Sequence, residues 1–210
     1  MNIFFDLDGT LIDSKTRLYL LFSYLNPEIK IGYSEYWNLK KSKISHNEIL
    51  INMYKYSEEQ FSIFSGLWMD CIEKDEWLKY DIPFENTTKT LLHLSHKNNL
   101  ILVTARQFPG QVKKQLTQFG WSDLFSKILV TEQKTEKYKL IQSLKLPLSE
   151  NDLIIGDTGK DIQTGKKLGI KTVAVTTGFL NEQSLNSYQP DLIIKNVNEL
   201  ITYEHPLFKF

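Results

Sequence analysis

The chain has 210 residues, enough for one domain with a sizeable core or for a core carrying a small accessory domain. Its 25 Lys and Arg residues equal its 25 Asp and Glu residues, so no basic excess points to nucleic acid or to an anionic membrane surface. The single cysteine, Cys71, rules out an intramolecular disulfide and a cysteine-rich zinc site, and no apolar run reaches the roughly 18 residues of a membrane span.

The first element is "NIFF", residues 2–5, whose aromatic and β-branched bias predicts a strand. It runs into "DLDGTLIDS", which puts Asp6 and Asp8 at the strand's C-terminal end and a turn at Gly9. Side chains alternate along a strand, so residues two apart can point the same way. Two carboxylates held that close repel each other unless a cation sits between them or the two perform different protonation work. Taken alone, the pair also fits a solvated acidic turn. A start that enters a strand carrying acids does not read as a signal peptide, and a cytoplasmic protein is expected.

From residue 14 to about 83 the pattern is helical, with no strand signal. Leu18, Leu21, Phe22 and Leu25 recur at helical spacing until Pro27. Ser45 and Glu48 form a capping-box signature ahead of Ile49, Leu50 and Met53. Phe61, Phe64, Trp68, Cys71 and Ile72 make a further stripe, opened by Ser57. Such stripes read as core, and Cys71 as a small buried hydrophobe.

From residue 84 helices and strands alternate. Helices are expected over 87–97, 112–119, 135–144 and 161–168. Strands are expected at "LILVT" (100–104), "KILVT" (127–131), "DLIIG" (152–156), "KTVAV" (171–175) and "DLIIK" (191–195). Near-continuous apolar strands separated by helices predict a doubly wound, Rossmann-like parallel sheet covered on both faces. The expected organisation is an α/β core of residues 1–14 and 84–210, interrupted by an all-α insertion over 15–83. An insertion of that length, leaving the sheet just after the paired acids, is expected to be a lid or binding element.

Ligands of open parallel sheets bind beyond the carboxyl ends of the strands. There the sequence delivers Asp6 and Asp8 from the first strand, Thr104 from the second, and Asp157 and Asp161 from "GDTGKD" after the fourth. Lys134, Lys137 and Lys139 lie between the third strand and its helix. Carboxylates, a hydroxyl and an ammonium converging on one edge suit phosphoryl transfer, which needs an in-line nucleophile, charge neutralisation and a proton for the leaving group.

"DLDGTLIDS", a strand ending in threonine, a lysine and "GDTGKD", in that order, resemble the haloacid dehalogenase superfamily of phosphatases and related hydrolases. The helical insertion is similar to that family's C1 cap in position and texture. The resemblance implies a phosphatase acting on a small phosphorylated metabolite through an aspartyl-phosphate. Asp6 would be the nucleophile and Asp8 the acid and base. Thr104 and Lys137 would hold the phosphate oxygens. Mg²⁺ would be bound by Asp6, Asp157 and the backbone carbonyl of Asp8, with Asp161 orienting from behind. Lys137 is preferred to Lys134 because Leu140 and Ile141 follow it in the family's apolar register, and Lys139 reads as a surface charge. Asp13 and Ser14 would belong to the hinge of the lid.

Arg106, in a chain with one other arginine, Arg17, reads either as a reader of a second anionic group on the substrate or as a surface residue. The four histidines lack metal-ligand spacing and read as surface or helix residues. "GDTGKD" fails as a phosphate-binding P-loop, because Ile154 stands where a glycine is required and Asp161 where Ser or Thr must be. Asp8 favours phosphorus over a dehalogenase's carbon. A phosphomutase would share every one of these residues, whereas a binding protein on a silent fold would be expected to have lost at least one.

Overall fold

The computed structural model describes residues 1–202; His205 and the last eight residues of the expected core lie outside it. Six parallel strands form the central sheet in the order β5-β4-β1-β6-β7-β8. They are β1 (Asn2–Phe5), β4 (Asn99–Thr104), β5 (Lys127–Val130), β6 (Leu153–Gly156), β7 (Lys171–Val175) and β8 (Leu192–Ile194). From β1 the chain winds outward to β4 and β5, then returns to β6 on the other side of β1. The reversal of strand order therefore falls at the centre of the sheet, where α/β folds open a crevice.

Alternation along the strands fills two cores. Ile3, Phe5, Leu100, Leu102, Leu153, Ile155, Val173 and Val175 face one way. Leu91 and Leu94 of α5 (Thr87–Ser95), with Val112 and Leu116 of α6 (Pro109–Gln118), cover that face. Phe4, Ile101, Val103 and Ile154 face the other way, against Ile141 of α7 (Lys137–Ser143) and the partly buried Leu168 of α8 (Gly159–Leu168). A sheet buried on both faces needs the unbroken apolar strands that the sequence supplies. Pro109 starts α6 three residues before the expected Val112, in the position where a missing N–H costs nothing. Gly169, in the left-handed region at φ 69°, ends α8.

The stretch after β1 is not purely helical as expected. Two-residue strands β2 (Ile12–Asp13) and β3 (Ile82–Pro83) pair antiparallel, with Ile12 opposite Pro83 and Asp13 opposite Ile82. Ladders this short carry no alternation, so nothing in the sequence marks them. They set side by side the two chain segments that leave and rejoin the core. Between them lie α1 (Lys15–Leu25), α2 (Tyr33–Lys41), a π-helix (Glu48–Met53), α3 (Glu58–Cys71) and α4 (Asp75–Leu78). Ser57 and Gln60 form the capping box of α3. Ser45 and Glu48 do exchange hydrogen bonds, but the turn they open is wound as π rather than α. Cys71 is partly rather than fully buried.

These helices share a core of their own, built on Phe22, Tyr36, Trp37, Ile49, Leu50 and Phe64. His46 sits within it rather than on the surface: its ring lies 4.5 Å from that of Trp68, and Tyr36 Oη is 2.7 Å from its Nε2. Burial, reinforced by the charge of Lys40, lowers its pKa to about 3, so it is neutral. No described helix is long and apolar enough to cross a membrane.

Candidate active site

Three adjacent strands, β4, β1 and β6, end level with one another, because Phe5 pairs with both Leu102 and Ile155. Asp6, Thr104 and Asp157 follow from that register, one at the carboxyl end of each strand. Thr104 is buried, and the Arg106 N–H lies 3.4 Å from its hydroxyl oxygen. Asp161 is the third residue of α8 and turns back over that helix's start, its Oδ2 accepting from the Thr158 hydroxyl at 2.7 Å. Lys137 opens α7, and its ammonium donates to Asp6 Oδ1 and to Asp161 Oδ1, both at 2.5 Å. Lys134 points to solvent and pairs with Glu132, and Lys139 is likewise exposed. Of the three lysines, the fold brings only Lys137 to the carboxylates.

Carboxylate oxygens of Asp6, Asp157 and Asp161 lie within 4.8 Å of one another, all buried. With all three ionised, three carboxylates against one ammonium leave two negative charges uncompensated at the largely buried floor of the site. Burial is the largest cause raising the Asp6 pKa to about 7, with Asp161 and Asp8 adding repulsion against the pull of Lys137. Burial, then Asp6 and Asp161, also push Asp157 well above the ordinary range. Asp157 Oδ2 accepts from the Phe179 N–H at 2.7 Å, but its buried Oδ1 has no partner. Gly9 and Gly178 make room for this side chain: a Cβ at Gly178 would fall 1.9 Å from Asp157 Oδ2, and one at Gly9, where φ is +79°, 2.4 Å from it. An all-oxygen donor set, a vacant acceptor and a deficit of two positive charges fit a hard divalent cation such as Mg²⁺.

Asp8 lies in different surroundings. Arg106 grips it with both arms of its fork, Nε on Oδ2 at 2.6 Å and Nη2 on Oδ1 at 2.7 Å. Arg17 Nη2 donates to Oδ1 at 2.5 Å. Both arginines also hold Asp81, at 2.8 Å and 2.9 Å. Two guanidinium groups thus face two carboxylates in a closed ring. Burial would raise the Asp8 pKa, but Arg106 and then Arg17 outweigh it and hold the group below the usual carboxylate range. Arg106 is therefore not a surface residue: its Nε and Nη2 are spent on Asp8 and Asp81, while its buried Nη1 has no partner. Arg17 and Asp81 escaped the sequence reading. Arg17 lies four residues before Leu21 on the apolar stripe of α1, and a charge on a buried stripe is the one signal that pointed to it.

Both clusters open onto a cavity of about 820 Å³ between the sheet edge and the helices inserted after β2. Trp37 of α2 stacks on Phe179 of the core, centroids 5.6 Å apart with 15° between the planes. On the far side Glu73 accepts from the Gln107 and Phe108 N–H groups, at 2.6 Å and 3.1 Å.

A crevice at the strand-order reversal, floored by buried acids and one lysine, defines a hydrolase-type α/β site. Residues 3–175 match the profile of the haloacid dehalogenase-like hydrolases. The chain belongs to that family, among its phosphatases. It is 24% identical over 209 residues to pyrophosphatase PpaX of Oceanobacillus iheyensis, spanning 96% of this chain and 95% of that protein. Against phosphoglycolate phosphatase of Aquifex aeolicus the identity is 28% over 210 residues, spanning 95% and 94%. A haloacid dehalogenase-like family hydrolase from Streptococcus pneumoniae superposes with a TM-score of 0.79 at 24% identity, covering 97% of this chain and 98% of its own.

Two predictions follow from the charge balance. Arg106→Met should destabilise the protein by about 3–5 kcal/mol in urea titrations, because it leaves two carboxylates sharing the single guanidinium of Arg17; a loss below about 1 kcal/mol would show that the ring is not a structural unit. For Asp157, the native state binds a proton that the unfolded chain has released, so its contribution to stability falls as pH rises from the unfolded value of 3.8. In chelator, wild type should therefore lose stability relative to Asp157→Asn as pH rises above the unfolded value of 3.8. Added Mg²⁺ should close that gap in wild type and do nothing for the variant.

Proposed function

We propose that the chain is a Mg²⁺-dependent phosphatase that hydrolyses a small phosphorylated metabolite through an aspartyl-phosphate on Asp6. The observation that carries the reading is the buried cluster of Asp6, Asp157, Asp161 and Lys137, short of two positive charges, under a cavity able to hold a small metabolite. A carboxylate held at the end of a rigid strand is a nucleophile positioned in advance. Lys137 and the Thr104 hydroxyl would receive the phosphate oxygens. Bound by Asp6 and Asp157, with the Asp8 carbonyl and substrate oxygens completing the shell, Mg²⁺ would neutralise charge on the transferring group. Asp161 would keep Lys137 in line from the rear.

In the first step an Asp6 oxygen bonds to phosphorus as the bond to the leaving oxygen breaks; Asp8, held ionised by Arg106 and Arg17, would have to take up a proton from solvent before supplying the one that oxygen needs. In the second step Asp8 takes a proton from water as that water attacks the phosphoenzyme, releasing phosphate and regenerating Asp6. Asp8 must give up an arginine contact to reach the leaving oxygen. Residues 15–83 would act as the cap, closing on the core of residues 1–14 and 84–210 across the paired strands β2 and β3. The relatives named for pyrophosphate and phosphoglycolate support a compact substrate.

The test is release of inorganic phosphate from p-nitrophenyl phosphate and a panel of small phosphorylated metabolites, with Mg²⁺ and with chelator. Asp6→Asn should remove at least three powers of ten from kcat, about 4 kcal/mol of barrier, in a protein that still unfolds cooperatively. Turnover within tenfold of wild type would take the nucleophile's role from Asp6. Isomerisation of a sugar phosphate without phosphate release would mark a mutase instead.

A further inference from the structure

We propose that Lys40 reads a second anionic group, a carboxylate or a phosphate, on the leaving portion of the substrate. This rests on the phosphatase reading of the same cavity. Six cationic side chains line the cavity: Arg17, Lys40, Lys43, Arg106, Lys137 and Lys160. The charges of Arg17 and Arg106 are balanced by Asp8 and Asp81, though Arg106 Nη1 has no hydrogen-bond partner, and Lys137 is shared by Asp6 and Asp161. Lys43 donates to Ser187 Oγ at 2.7 Å and lies 4.3 Å above the Tyr188 ring. Lys160 is exposed. Lys40 differs from all of these. It is partly buried, and its ammonium makes no hydrogen bond or ion pair with any described residue.

The opposing charge that acts on it, Glu48, makes no ion pair with it and is engaged by Ser45. Its carboxylate accepts from the Ser45 N–H at 2.8 Å and from the Ser45 hydroxyl at 2.7 Å. Burial lowers the Lys40 pKa to about 8 against the weaker pull of Glu48, so the ammonium is still mostly protonated at neutral pH. A half-desolvated ammonium without an anion is costly, and an incoming anionic group would remove that cost.

Its position is also fixed. Lys40 follows Trp37 by three residues on α2, so the two share a face of the helix. Trp37 is anchored by its stack on Phe179, whose N–H holds Asp157. The neighbouring Lys41 carbonyl accepts from the Ser184 hydroxyl at 3.2 Å. The lysine is therefore tied to the phosphate end of the cavity through two contacts, while it stands on the opposite wall. Such a placement would contact the leaving portion of a substrate whose phosphoryl group sits at Asp6. The acids lining the cavity, Asp6, Asp8, Glu73 and Asp157, all have hydrogen-bonding partners of their own.

The experiment compares kcat/KM for phosphoglycolate and for pyrophosphate with that for p-nitrophenyl phosphate, in wild type, Lys40→Gln and Lys40→Arg, with Mg²⁺. Either ratio should fall at least tenfold in Lys40→Gln, through KM, and recover to within about threefold of wild type in Lys40→Arg. A fall with phosphoglycolate alone identifies a carboxylate, and one with pyrophosphate alone a second phosphate. Ratios unchanged within twofold, or a wild type that hydrolyses only p-nitrophenyl phosphate, would overturn the assignment. A wild type that hydrolyses nothing would instead overturn the phosphatase reading. Calorimetry would then decide the lysine's role: phosphonoacetate should bind wild type at least tenfold more tightly than methylphosphonate, and Lys40→Gln should erase the difference. Equal binding of the two probes by wild type would overturn it.

Discussion

The Lys137 ammonium, shared between Asp6 and Asp161, is the contact on which the site depends. It is the only cation among four buried side chains, three of them acids, so removing it would leave three carboxylates facing each other without relief. The fold meets that demand from three directions. Strand β1 delivers Asp6, the first turn of α8 delivers Asp161, and Ile141, four residues after Lys137, seats α7 against the sheet. Glycines then provide space where the acids press on backbone, as at Gly156, where a Cβ would fall 2.2 Å from Asp161 Cγ. Even so the cluster stays short of positive charge. That imbalance, rather than any single residue, is what calls for a divalent cation.

Two residues away along the chain, Asp8 meets the opposite condition. Its ring with Arg17, Arg106 and Asp81 is balanced, two charges against two. Neighbouring carboxylates on one turn are thus driven apart in proton affinity, Asp6 upward and Asp8 downward. These directions are opposite to what the proposed roles need, since a nucleophilic Asp6 must be ionised and a donating Asp8 protonated; a cation beside Asp6 and release of Asp8 from its arginines would reverse both. The ring also bridges the inserted helices and the sheet, since Arg17 lies just beyond β2 and Asp81 just before β3, while Arg106 follows β4. The state of Asp8 is therefore joined to the position of the helices that close the cavity.

What the sequence made legible was local. Asp6, Thr104 and Asp157 each end an apolar run, so a strand prediction places them at one edge without knowledge of strand order. Lys137 could be chosen over Lys134 because the family resemblance implies an apolar register after its lysine, and Leu140 and Ile141 supply it within one helical turn. What stayed hidden was contact at a distance. Arg17 meets Asp81 across 64 positions, and Arg106 meets Asp8 across 98. A single sequence carries no periodicity for such pairs. The π-helix at Glu48–Met53 was missed for a related reason, since its end caps are those of an ordinary helix and the extra residue per turn leaves no mark on composition.

Phe179 sits where these separate pieces meet. Its backbone N–H steadies Asp157, and its ring carries Trp37, so one residue touches both the acidic floor and the helix that bears Lys40. Offset aromatic stacking contributes on the order of 1 kcal/mol beyond burial, enough to bias a lid without locking it. On the opposite side Glu73 makes the matching contact to the core loop after Thr104, through two backbone N–H groups rather than through a ring. The inserted helices are therefore held at both walls of the cavity by contacts to the loops that follow β4 and β7. A group filling the cavity must fit between those walls, so the same loops that aim the floor also set the distance to Lys40.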